Sequence, residues 1–476
     1  MNGNVIRLCG ALLLIIILMS LPISAQQQEF LAVEKQRVIV LTDITNEPDD
    51  QESLVRFLVY ANEYDVEGLI ATTSIWLQNK VCPEKIIELI GAYGKVQNNL
   101  LKHAPGFPSE EQLFSVVREH LPVYGMSGVG EGKSSSGSRH IIEVVDNDDP
   151  RPVWISVWGG ANCLAQVLYD VRSSRTEAEL KKFVSKLRVY TISDQDDSGR
   201  WMRIEFPDLF YIVTPCEQRS FEYYHATWTG ISGDRQYKNG PMHKFELVDN
   251  PWLEEHVIRN HGPLGALYPR LEYIMEGDTP SFIGLINNGL GSPLSPAYGG
   301  WGGRYTLVKT YAELRPIWTN NGKARDTVEA DNGFVDTSAQ ATIWRWREDY
   351  QHDFAARMDW CVVDRYEDAN HNPIVTLNGN ETNDVLKFTV NPGSRITLDT
   401  QGTHDPDGDA LSYHWWYYKE AGNYKGNIDI FNAAGTKIDI EVPSDSKDKT
   451  IHIIITIRDN GIPSLYTYRR IIIESK

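Results

Sequence analysis

The residues best placed for chemistry are three carboxylates that follow one apolar run of the sequence. Residues 38–41 read VIVL, Asp43 stands two positions later, and Asp49 and Asp50 precede a helical pattern of apolar residues that begins at Leu54. The run is too uniformly apolar for a strand with one solvated face, so it predicts a buried parallel strand. The acids then lie where this strand passes to a helix, and open α/β sheets bind ligands there.

Two interpretations of these acids are open at this point. Carboxylates held close together repel one another unless a cation or shared protons neutralise them, and oxygen ligands suit a hard ion such as Ca²⁺. The functional interpretation is therefore a metal site. The alternative is that Asp49 and Asp50 only cap the helix and interact favourably with its amino terminus, as acids do in many proteins.

The elements that must position these acids alternate between strand and helix from residue 37 to about residue 368. The strand-like runs are VIVL, VEGLIATTS, VWISVWGG, KLRVYTIS and LFYIVTP, and the helical runs include LVRFLVYA, PEKIIELIGAYG and ANCLAQVLYDVR. This alternation predicts an α/β domain with a mostly parallel sheet and helices on both faces. Right-handed crossovers bring the carboxyl ends of the strands to one edge.

Near residue 370 the chain changes to short segments with a period of two. These segments are ITLDT, LSYHWWYY, KIDIEV, IHIIITIRD and TYRRIIIES, which together predict an immunoglobulin-like β-sandwich. In LSYHWWYY the alternation turns Trp415 inward and Trp416 and Tyr418 outward. The outward pair either stacks on sugar rings or packs on the first domain. The acids of the turn DPDGD either hold Ca²⁺ or shape a tight turn.

The first 25 residues predict a secretory signal peptide. They carry one basic residue, Arg7, an apolar core from Leu8 to Leu21, and small residues at Ser24 and Ala25. The apolar run is shorter than the roughly 20 residues of a membrane-spanning helix. We therefore expect an exported bacterial protein, secreted or periplasmic, without membrane insertion after signal cleavage. The predicted units are the signal peptide at 1–25, an α/β domain at 33–368 and the β-sandwich at 370–476.

The charge of the chain limits its partners. The formal net charge is −18, which argues against nucleic acid polymers and anionic membrane surfaces, since both require basic patches. Neutral glycans remain compatible with this charge. After the signal segment, four scattered cysteines are too few for a disulfide framework or a zinc signature.

Three stretches, in order, resemble the nucleoside hydrolase superfamily: TDITNEPDD, GLIATTS at Gly68 to Ser74, and VWGGANCLAQ at Val157 to Gln166. More closely, the chain resembles a secreted bacterial family described as cellulose-binding, with a nucleoside-hydrolase-like domain followed by a small β-domain. That resemblance also includes EGDTPSFIGLINNGLGSP and YGGWGGRY. It implies a nucleoside-hydrolase-like fold for the first domain.

The resemblance also implies a calcium site and its ligands. Asp43 and Asp50 would be metal ligands, with the backbone carbonyl of about Val157 and the carboxylate of Asp278 completing the set. Asp49 would bind sugar hydroxyls, and Asp43 and Asp49 would be the catalytic carboxylates. Two residues depart from the superfamily pattern without removing a ligand: Thr45 replaces the usual Gly, and Glu47 stands where Asp is frequent.

The substrate pocket is expected to be aromatic. The superfamily's Asn after the TT motif is out of register, because Ser74, Ile75 and Trp76 occupy that region. The residues predicted to bind substrate, besides Asp49, are Trp76, Asn79, Trp158, Asn162 and Trp301. The alternative for the tryptophans is the hydrophobic core. His225 is the first residue to test as an acid for a leaving group.

These observations predict a secreted carbohydrate-active hydrolase. The expected reaction is a Ca²⁺-assisted, glycosidase-type hydrolysis of a plant or other polysaccharide-derived glycan, with cellulose or another plant cell-wall polysaccharide as binding partner. One alternative is a ribonucleoside hydrolase. The other is a non-catalytic cellulose- or glycan-binding protein that has kept the fold and lost the reaction.

Overall fold

The computed structural model describes residues 27–233, 243–320, 322–330 and 332–476. The signal peptide predicted at 1–25 lies outside these residues. Across the described ranges, no helix combines the length and the apolar character needed to cross a membrane.

The described chain forms strands and helices in both halves. The strands are β1 (Gln27–Leu31), β2 (Gln36–Thr42), β3 (Tyr64–Ala71), β4 (Val117–Glu119), β5 (Val153–Val157), β6 (Leu187–Ser193), β7 (Phe210–Thr214), β8 (Thr306–Val308), β9 (Ile317–Thr319), β10 (Asp326–Glu329), β11 (Val335–Ser338), β12 (Val385–Val390), β13 (Arg395–Asp399), β14 (Ser412–Tyr417), β15 (Lys437–Glu441), β16 (Lys449–Arg458) and β17 (Tyr466–Ser475). The α-helices are α1 (Pro48–Val59), α2 (Pro83–Gly94), α3 (Gln97–His103), α4 (Glu110–Ser115), α5 (Ser136–Asp146), α6 (Asn162–Ser174), α7 (Glu177–Ser185), α8 (Ser198–Glu205), α9 (Phe221–Tyr224), α10 (Asn250–Leu253), α11 (Gly262–Gly265), α12 (Pro280–Ile283), α13 (Ala341–Trp344) and α14 (Arg347–Trp360).

The first domain is built on an eight-stranded sheet with the order β4-β3-β2-β5-β6-β7-β9-β8. All neighbouring strands are parallel except β8, which runs antiparallel to β9. In β2, Val38 and Val40 pack into the core on one face of the sheet, and Ile39 and Leu41 pack into the core on the other. Burial on both faces explains why this strand is uniformly apolar, and the predicted α/β architecture is confirmed.

The second domain is a β-rich unit with the packing expected of a sandwich. Its larger sheet has the order β1-β12-β17-β16-β14, and β13 pairs with β15 in a second sheet. Trp415 and the inward residues of β16 and β17 fill the core between them. β1 precedes the first domain in sequence but pairs antiparallel with β12, so residues 27–31 complete the sheet of the second domain.

The face of β14 that was expected to point outward packs on the first domain instead of lying in solvent. Tyr418 is fully buried, and its hydroxyl donates a 2.6 Å hydrogen bond to Asp326 Oδ2. Trp416 is partly buried, with its ring centroid 5.8 Å from that of Trp346. The alternation along β14 is therefore as predicted, but the partner of this face is the first domain. A glycan-binding role for Trp416 and Tyr418 does not fit this burial.

Strand β17 makes the second large contact between the domains. The amide of Tyr468 donates to the carbonyl of Asn288 at 3.2 Å, and the amide of Arg470 donates to that of Gly289 at 2.9 Å. Gly289 has a φ of 91°, and a β-carbon there would lie 1.7 Å from the Tyr468 carbonyl oxygen. Glycine is thus required for this approach. The two domains are joined by main-chain hydrogen bonds as well as by side chains.

Candidate metal and substrate site

Four carboxylates meet at the carboxyl edge of the parallel sheet. Asp43 follows β2, Asp49 and Asp50 lie in the first turn of α1, and Asp278 lies just before α12. One oxygen each from Asp49, Asp50 and Asp278 lies within 4.8 Å of the others. Asp43 lines the same pocket. The structure thus brings together the four acids that the sequence singled out.

The hydrogen bonds around the acids leave a buried oxygen of Asp278 without a partner among the described residues. Ser74 Oγ donates to Asp43, and Thr42 Oγ1 donates to Asp50. Asp278 is only 2% exposed. Its Oδ2 is buried and has no hydrogen-bond partner among the described residues. A buried, unpartnered carboxylate oxygen is costly unless something else binds it.

Burial raises the pKa of every acid in this cluster, and repulsion from neighbouring carboxylates raises the pKa of Asp49, Asp50 and Asp278 further. Burial raises the pKa of Asp43 to about 6. Burial raises the pKa of Asp49 well above its usual range, and the charges of Glu47 and Asp43 raise it further. Burial, followed by repulsion from Asp50 and Asp49, does the same for Asp278. No Lys or Arg side chain is among the described residues that line the pocket.

This donor set fits a divalent cation that prefers oxygen. Oxygens of three carboxylates converge, and Asp278 has a buried oxygen without a partner among the described residues. No basic side chain in the described pocket wall neutralises these acids. Ca²⁺ takes six to eight oxygen ligands, many of them carboxylates. The capping interpretation accounts for Asp49 and Asp50 but not for the convergence of Asp278 on them.

The carbonyl assigned to Val157 stays a prediction. Val157 ends β5 and lies beside Leu41 in the sheet. Two residues later, the backbone passes so close to Asp43 that a β-carbon on Gly159 would lie 2.4 Å from Asp43 Oδ1. The segment after β5 therefore borders the acids, as a backbone ligand from this region requires.

A buried ion pair holds the turn that carries Asp278. Arg56, on α1, pairs with Glu276, and both side chains are fully buried. Glu276 also accepts hydrogen bonds from Tyr268 at 2.8 Å and from Thr279 at 2.9 Å. Because Arg56 shares its helix with Asp49 and Asp50, this pair fixes Asp278 relative to the other acids.

Thr45 occupies a backbone conformation that favours glycine. The amide of Asn46 donates to the carbonyl of Asp43 at 3.3 Å, which closes a turn with Thr45 at its third position. Thr45 has a φ of 88°, as a type II turn requires there. Its hydroxyl donates a 3.0 Å hydrogen bond to Cys82 Sγ. The turn explains the Gly of the superfamily, and the β-branched Thr45 therefore places strain between Asp43 and Asp49.

Replacing Thr45 with glycine is expected to stabilise the protein. An L-residue in the left-handed region costs roughly 1–2 kcal/mol, while glycine loses about 0.5–1 kcal/mol in backbone entropy. The free energy of unfolding should therefore rise by about 0.5–1 kcal/mol in Thr45→Gly, measured by urea denaturation. Thr45→Ala keeps the strain and removes the hydroxyl, so it should not gain stability. Equal gains in both variants would contradict the strain.

Outside the acids, the pocket opens into an aromatic vestibule. This wider cavity, which we call the vestibule, has a volume of about 460 Å³. It is lined by Asn46, Glu47, Trp76, Arg219, Tyr223, Tyr224 and Tyr273. Asn46, Glu47, Trp76 and Tyr223 also line the acidic pocket, so the two are continuous. The Arg219 guanidinium lies 4.9 Å from the centroid of the Trp76 ring, a cation–π contact that holds this ring.

Of the residues predicted to bind substrate, Asp49 and Trp76 line the acidic pocket. Trp158 is fully buried and donates from Nε1 to Ser156 at 2.9 Å and to Ser281 at 3.1 Å, so it belongs to the core beneath the acids. Trp301 is also buried, and its Nε1 donates to Tyr468 at 3.3 Å in the domain interface. Neither ring forms a pocket wall.

The remaining predicted residues lie beside the pocket rather than in it. Asn162 is fully buried, and its Nδ2 donates to Thr73 Oγ1 at 3.2 Å and to the Val123 carbonyl at 2.8 Å. Asn79 is exposed, three residues beyond Trp76. His225 stacks on Phe221, with ring centroids 4.0 Å apart, and lines a different cleft.

Sequence reasoning missed most of the vestibule. Tyr223 and Tyr224 lie in the stretch YYHATW, which drew attention only for His225. Glu47 was noted only as a departure from Asp, yet burial, the charge of Asp43 and that of Glu272 raise its pKa. The paired tyrosines were the available signal. Tyr273 and Arg219 had no such signal in the sequence, because loops bring them to the site.

Comparison with known proteins identifies relatives for both domains. The chain matches the family "Cellulose-binding Sde182, nucleoside hydrolase-like domain" over residues 37–305, and "Cellulose-binding protein Sde0182, C-terminal domain" over residues 395–475. A nucleoside hydrolase-related hypothetical protein from Saccharophagus degradans, described as associated with carbohydrate metabolism, is 38% identical. The match covers 93% of this chain and 100% of that one, with a TM-score of 0.79.

Two other solved structures share little sequence with this chain. The effector protein XOO4466 is 9% identical, and the type III effector XopQ, solved with adenosine diphosphate ribose, is 12% identical. Each match covers 69% of this chain and 94% of the other, with TM-scores of 0.35 and 0.33. No curated protein matches the chain.

Proposed function

This chain belongs to the family of cellulose-binding Sde182 proteins with a nucleoside-hydrolase-like domain, and from that premise we propose that it is a carbohydrate-active hydrolase that cleaves glycosidic bonds in a glycan. The observation that carries the proposal is the convergence of Asp49, Asp50 and Asp278 in a pocket that opens through an aromatic vestibule. Carboxylates supply acid–base chemistry, and aromatic rings bind the apolar faces of sugars.

We assign the metal position to Asp49, Asp50 and Asp278, with Asp43 and the carbonyl of Val157 beside them. A bound Ca²⁺ would supply Lewis-acid polarisation and a grip on vicinal sugar hydroxyls. Asp49 then lies at the boundary between the metal and the substrate, where its carboxylate accepts hydrogen bonds from those hydroxyls.

Asp43 and Glu47 are our candidates for the proton transfers. Burial raises the pKa of Asp43 to about 6, close to the pH at which a general base works best. Ser74 fixes its orientation through a hydrogen bond. Glu47 lines both the acidic pocket and the vestibule, and burial and the charge of Asp43 raise its pKa. A carboxyl group that keeps its proton at this position donates it to the departing sugar oxygen.

Three features of the vestibule favour a sugar over a nucleoside. Trp76 stands where the superfamily places a ribose-orienting Asn. Tyr223, Tyr224 and Tyr273 offer further rings at the opening, and no His is among the residues lining either the pocket or the vestibule. A nucleosidase must hold ribose through placed polar groups, and losing one such group costs orders of magnitude in discrimination.

The proposal is tested by turnover on matched substrates. The purified protein should hydrolyse an oligosaccharide or aryl glycoside from a panel of plant and bacterial glycans, and a chelator should abolish the hydrolysis. Asp43→Asn and Glu47→Gln should each lower kcat by about 10²- to 10⁴-fold, because general acid–base catalysis contributes that much. Trp76→Ala should raise KM and lower kcat as the sugar loses its platform.

The control variant is Asp148→Asn, since Asp148 is exposed just before β5, at the opposite edge of the sheet. It should leave turnover unchanged. Release of free base from inosine or uridine at about 1 s⁻¹ or faster would favour a ribonucleoside hydrolase instead. Glycan binding without turnover of any panel member would favour the non-catalytic alternative.

We further propose export to the periplasm or the medium, which rests on the apolar segment at 1–25. An external location gives access to polysaccharide. Expression of the full gene followed by mass spectrometry of the mature protein checks this proposal. A mature chain that still begins at Met1 would contradict it.

A further inference from the structure

A large cleft lies beside the acidic pocket, on the same edge of the sheet. It has a volume of about 970 Å³, and residues at the ends of β7 and β9, namely Thr214 and Thr319, form part of its floor. This volume is at the upper end of the range for small-molecule sites. The vestibule and the acidic pocket do not need it to hold a single sugar, so it has no role in the reaction proposed above.

The cleft and the vestibule are separated only by short pieces of chain. Gln195 lines the acidic pocket, while its neighbours Asp194 and Asp196 line the cleft. Helix α9 divides them in the same way, because Phe221 lines the cleft and Tyr223 lines the vestibule. A chain-like ligand that leaves the vestibule over α9 therefore enters the cleft.

Two aromatic side chains in the cleft are unusually open to solvent. Phe221 is 71% exposed and Tyr311 is 99% exposed. His225 stacks on one face of Phe221 with ring centroids 4.0 Å apart, which holds this ring in place. Large apolar surface left in water is unfavourable unless a ligand covers it, and sugar rings present C–H faces of matching shape.

The charges of the cleft exclude an anionic ligand. Six carboxylates and three arginines line it, so its formal charge is negative. Much of that charge is also internally paired, because buried Arg203 binds Asp194 at 2.8 Å and Glu313 at 3.0 Å. Thr310 Oγ1 is a buried polar atom in the cleft wall with no hydrogen-bond partner among the described residues. Neutral hydroxyl groups are the chemistry that this lining accepts.

We propose that the cleft binds successive sugar residues of a neutral glycan chain whose reacting end lies in the acidic pocket. This inference rests on the function proposed above for the acidic pocket, and it adds a specificity for long, uncharged glycans. Phe221 and Tyr311 act as stacking platforms, and the polar wall hydrogen-bonds sugar hydroxyls. The enzyme then prefers oligosaccharides to single aryl glycosides.

The test compares long and short ligands in the full-length protein. Binding of cellohexaose, measured by calorimetry, should weaken about tenfold in the double variant Phe221→Ala/Tyr311→Ala, since both stacking contacts are lost. Turnover of a single-sugar aryl glycoside should change less than twofold. The control is Phe431→Ala, an equally exposed phenylalanine, 74% accessible, in the second domain. It should bind cellohexaose as the unmodified protein does.

Several outcomes separate this inference from the function on which it rests. Unchanged cellohexaose binding in the double variant overturns the proposed binding role of the cleft, whether or not the acidic pocket is active. Tighter binding of an anionic oligogalacturonide than of cellohexaose also overturns it. If cellohexaose binding falls in the double variant but no glycan is turned over by the unmodified protein, the cleft is supported and the hydrolase proposal fails.

Discussion

Removal of the proposed divalent ion is expected to lower the melting temperature of this protein, and to lower it more at pH 8 than at pH 5. Asp43, Asp49, Asp50 and Asp278 are held together at one strand edge, and the described pocket wall contains no basic side chain. An ion that binds only the folded state adds about 2.7 kcal/mol of stability at a concentration of 100 Kd. Metal-free protein loses this free energy and must also bear the repulsion between the carboxylates.

The direction of the pH effect follows from the raised pKa values. The pKa of Asp43 rises from 3.8 to about 6, and those of Asp49 and Asp278 rise well above 3.8. Below pH 3.8 these acids are protonated in both the folded and the unfolded chain, so they impose no penalty. As the pH rises from 3.8 towards the raised pKa values of the folded state, the unfolded chain ionises freely while the metal-free fold resists ionisation, so its stability falls. A bound cation favours the ionised form and removes this loss.

One variant should weaken Ca²⁺ binding and yet stabilise the metal-free protein. Asp50→Asn removes one ligand and one repelling charge, so it should bind Ca²⁺ more weakly and yet be more stable than the unmodified protein when both are metal-free at pH 8. Differential scanning calorimetry with Ca²⁺ and with chelator, at pH 5 and pH 8, measures both changes. Asp148→Asn should behave as the unmodified protein in every condition. Equal melting temperatures with and without chelator at pH 8 would remove the metal from the proposal.

The strand ends and their acids could be predicted from sequence because the signals are local. A continuous apolar run identifies β2 as buried on both faces. Asp43 follows this strand directly, and Asp49 and Asp50 lie in the first turn of the next helix. The resemblance added Asp278, which the structure places against the same acids. Right-handed crossovers then bring the carboxyl ends of the parallel strands to one edge.

The residues that sequence reasoning misplaced depend on long-range packing. The period of two in β14 correctly predicted which side Tyr418 faces, but no local pattern tells whether solvent or another domain lies there. Trp158 and Trp301 have the residue type of a sugar platform, and only the fold shows that each is enclosed by core or interface. The pairing of β1 with β12 joins residues more than 350 positions apart, and no periodicity encodes it.

The contact between the domains is centred on Asp326, which is fully buried at the start of β10. Arg304 pairs with its Oδ1 at 2.8 Å, and Arg345 pairs with its Oδ2 at 3.2 Å. Tyr418 of the second domain donates its hydroxyl to Oδ2 at 2.6 Å. One carboxylate therefore pairs with two arginines, of which Arg345 also lies 3.7 Å from Glu420, and it accepts a hydrogen bond from the second domain.

Replacing Asp326 with Asn is expected to lower the free energy of unfolding by about 3–5 kcal/mol, because breaking a buried ion pair leaves an uncompensated charge behind. Arg304 and Arg345 both lose this partner, and Arg345 keeps only Glu420, at 3.7 Å. The Arg345 guanidinium also loses a contact that orders it 4.6 Å from the Tyr418 ring centroid. Urea denaturation followed by tryptophan fluorescence measures the change.

The matched control is Glu329→Gln, on the same strand but exposed, which should change the free energy of unfolding by less than about 0.5 kcal/mol. Tyr418→Phe isolates the hydrogen bond across the interface and should cost about 1–3 kcal/mol, since it leaves a buried acceptor on Asp326 with one fewer donor. If Asp326→Asn lowers the free energy of unfolding no more than Tyr418→Phe does, the lost charge contributes nothing to stability. The cluster is then not what joins the domains. A cost several times larger, with fluorescence and circular dichroism changing in one coincident transition, means that the two domains unfold as one unit. The cleft wall at Arg325 then depends on the second domain for its position, because it adjoins Asp326 in the chain.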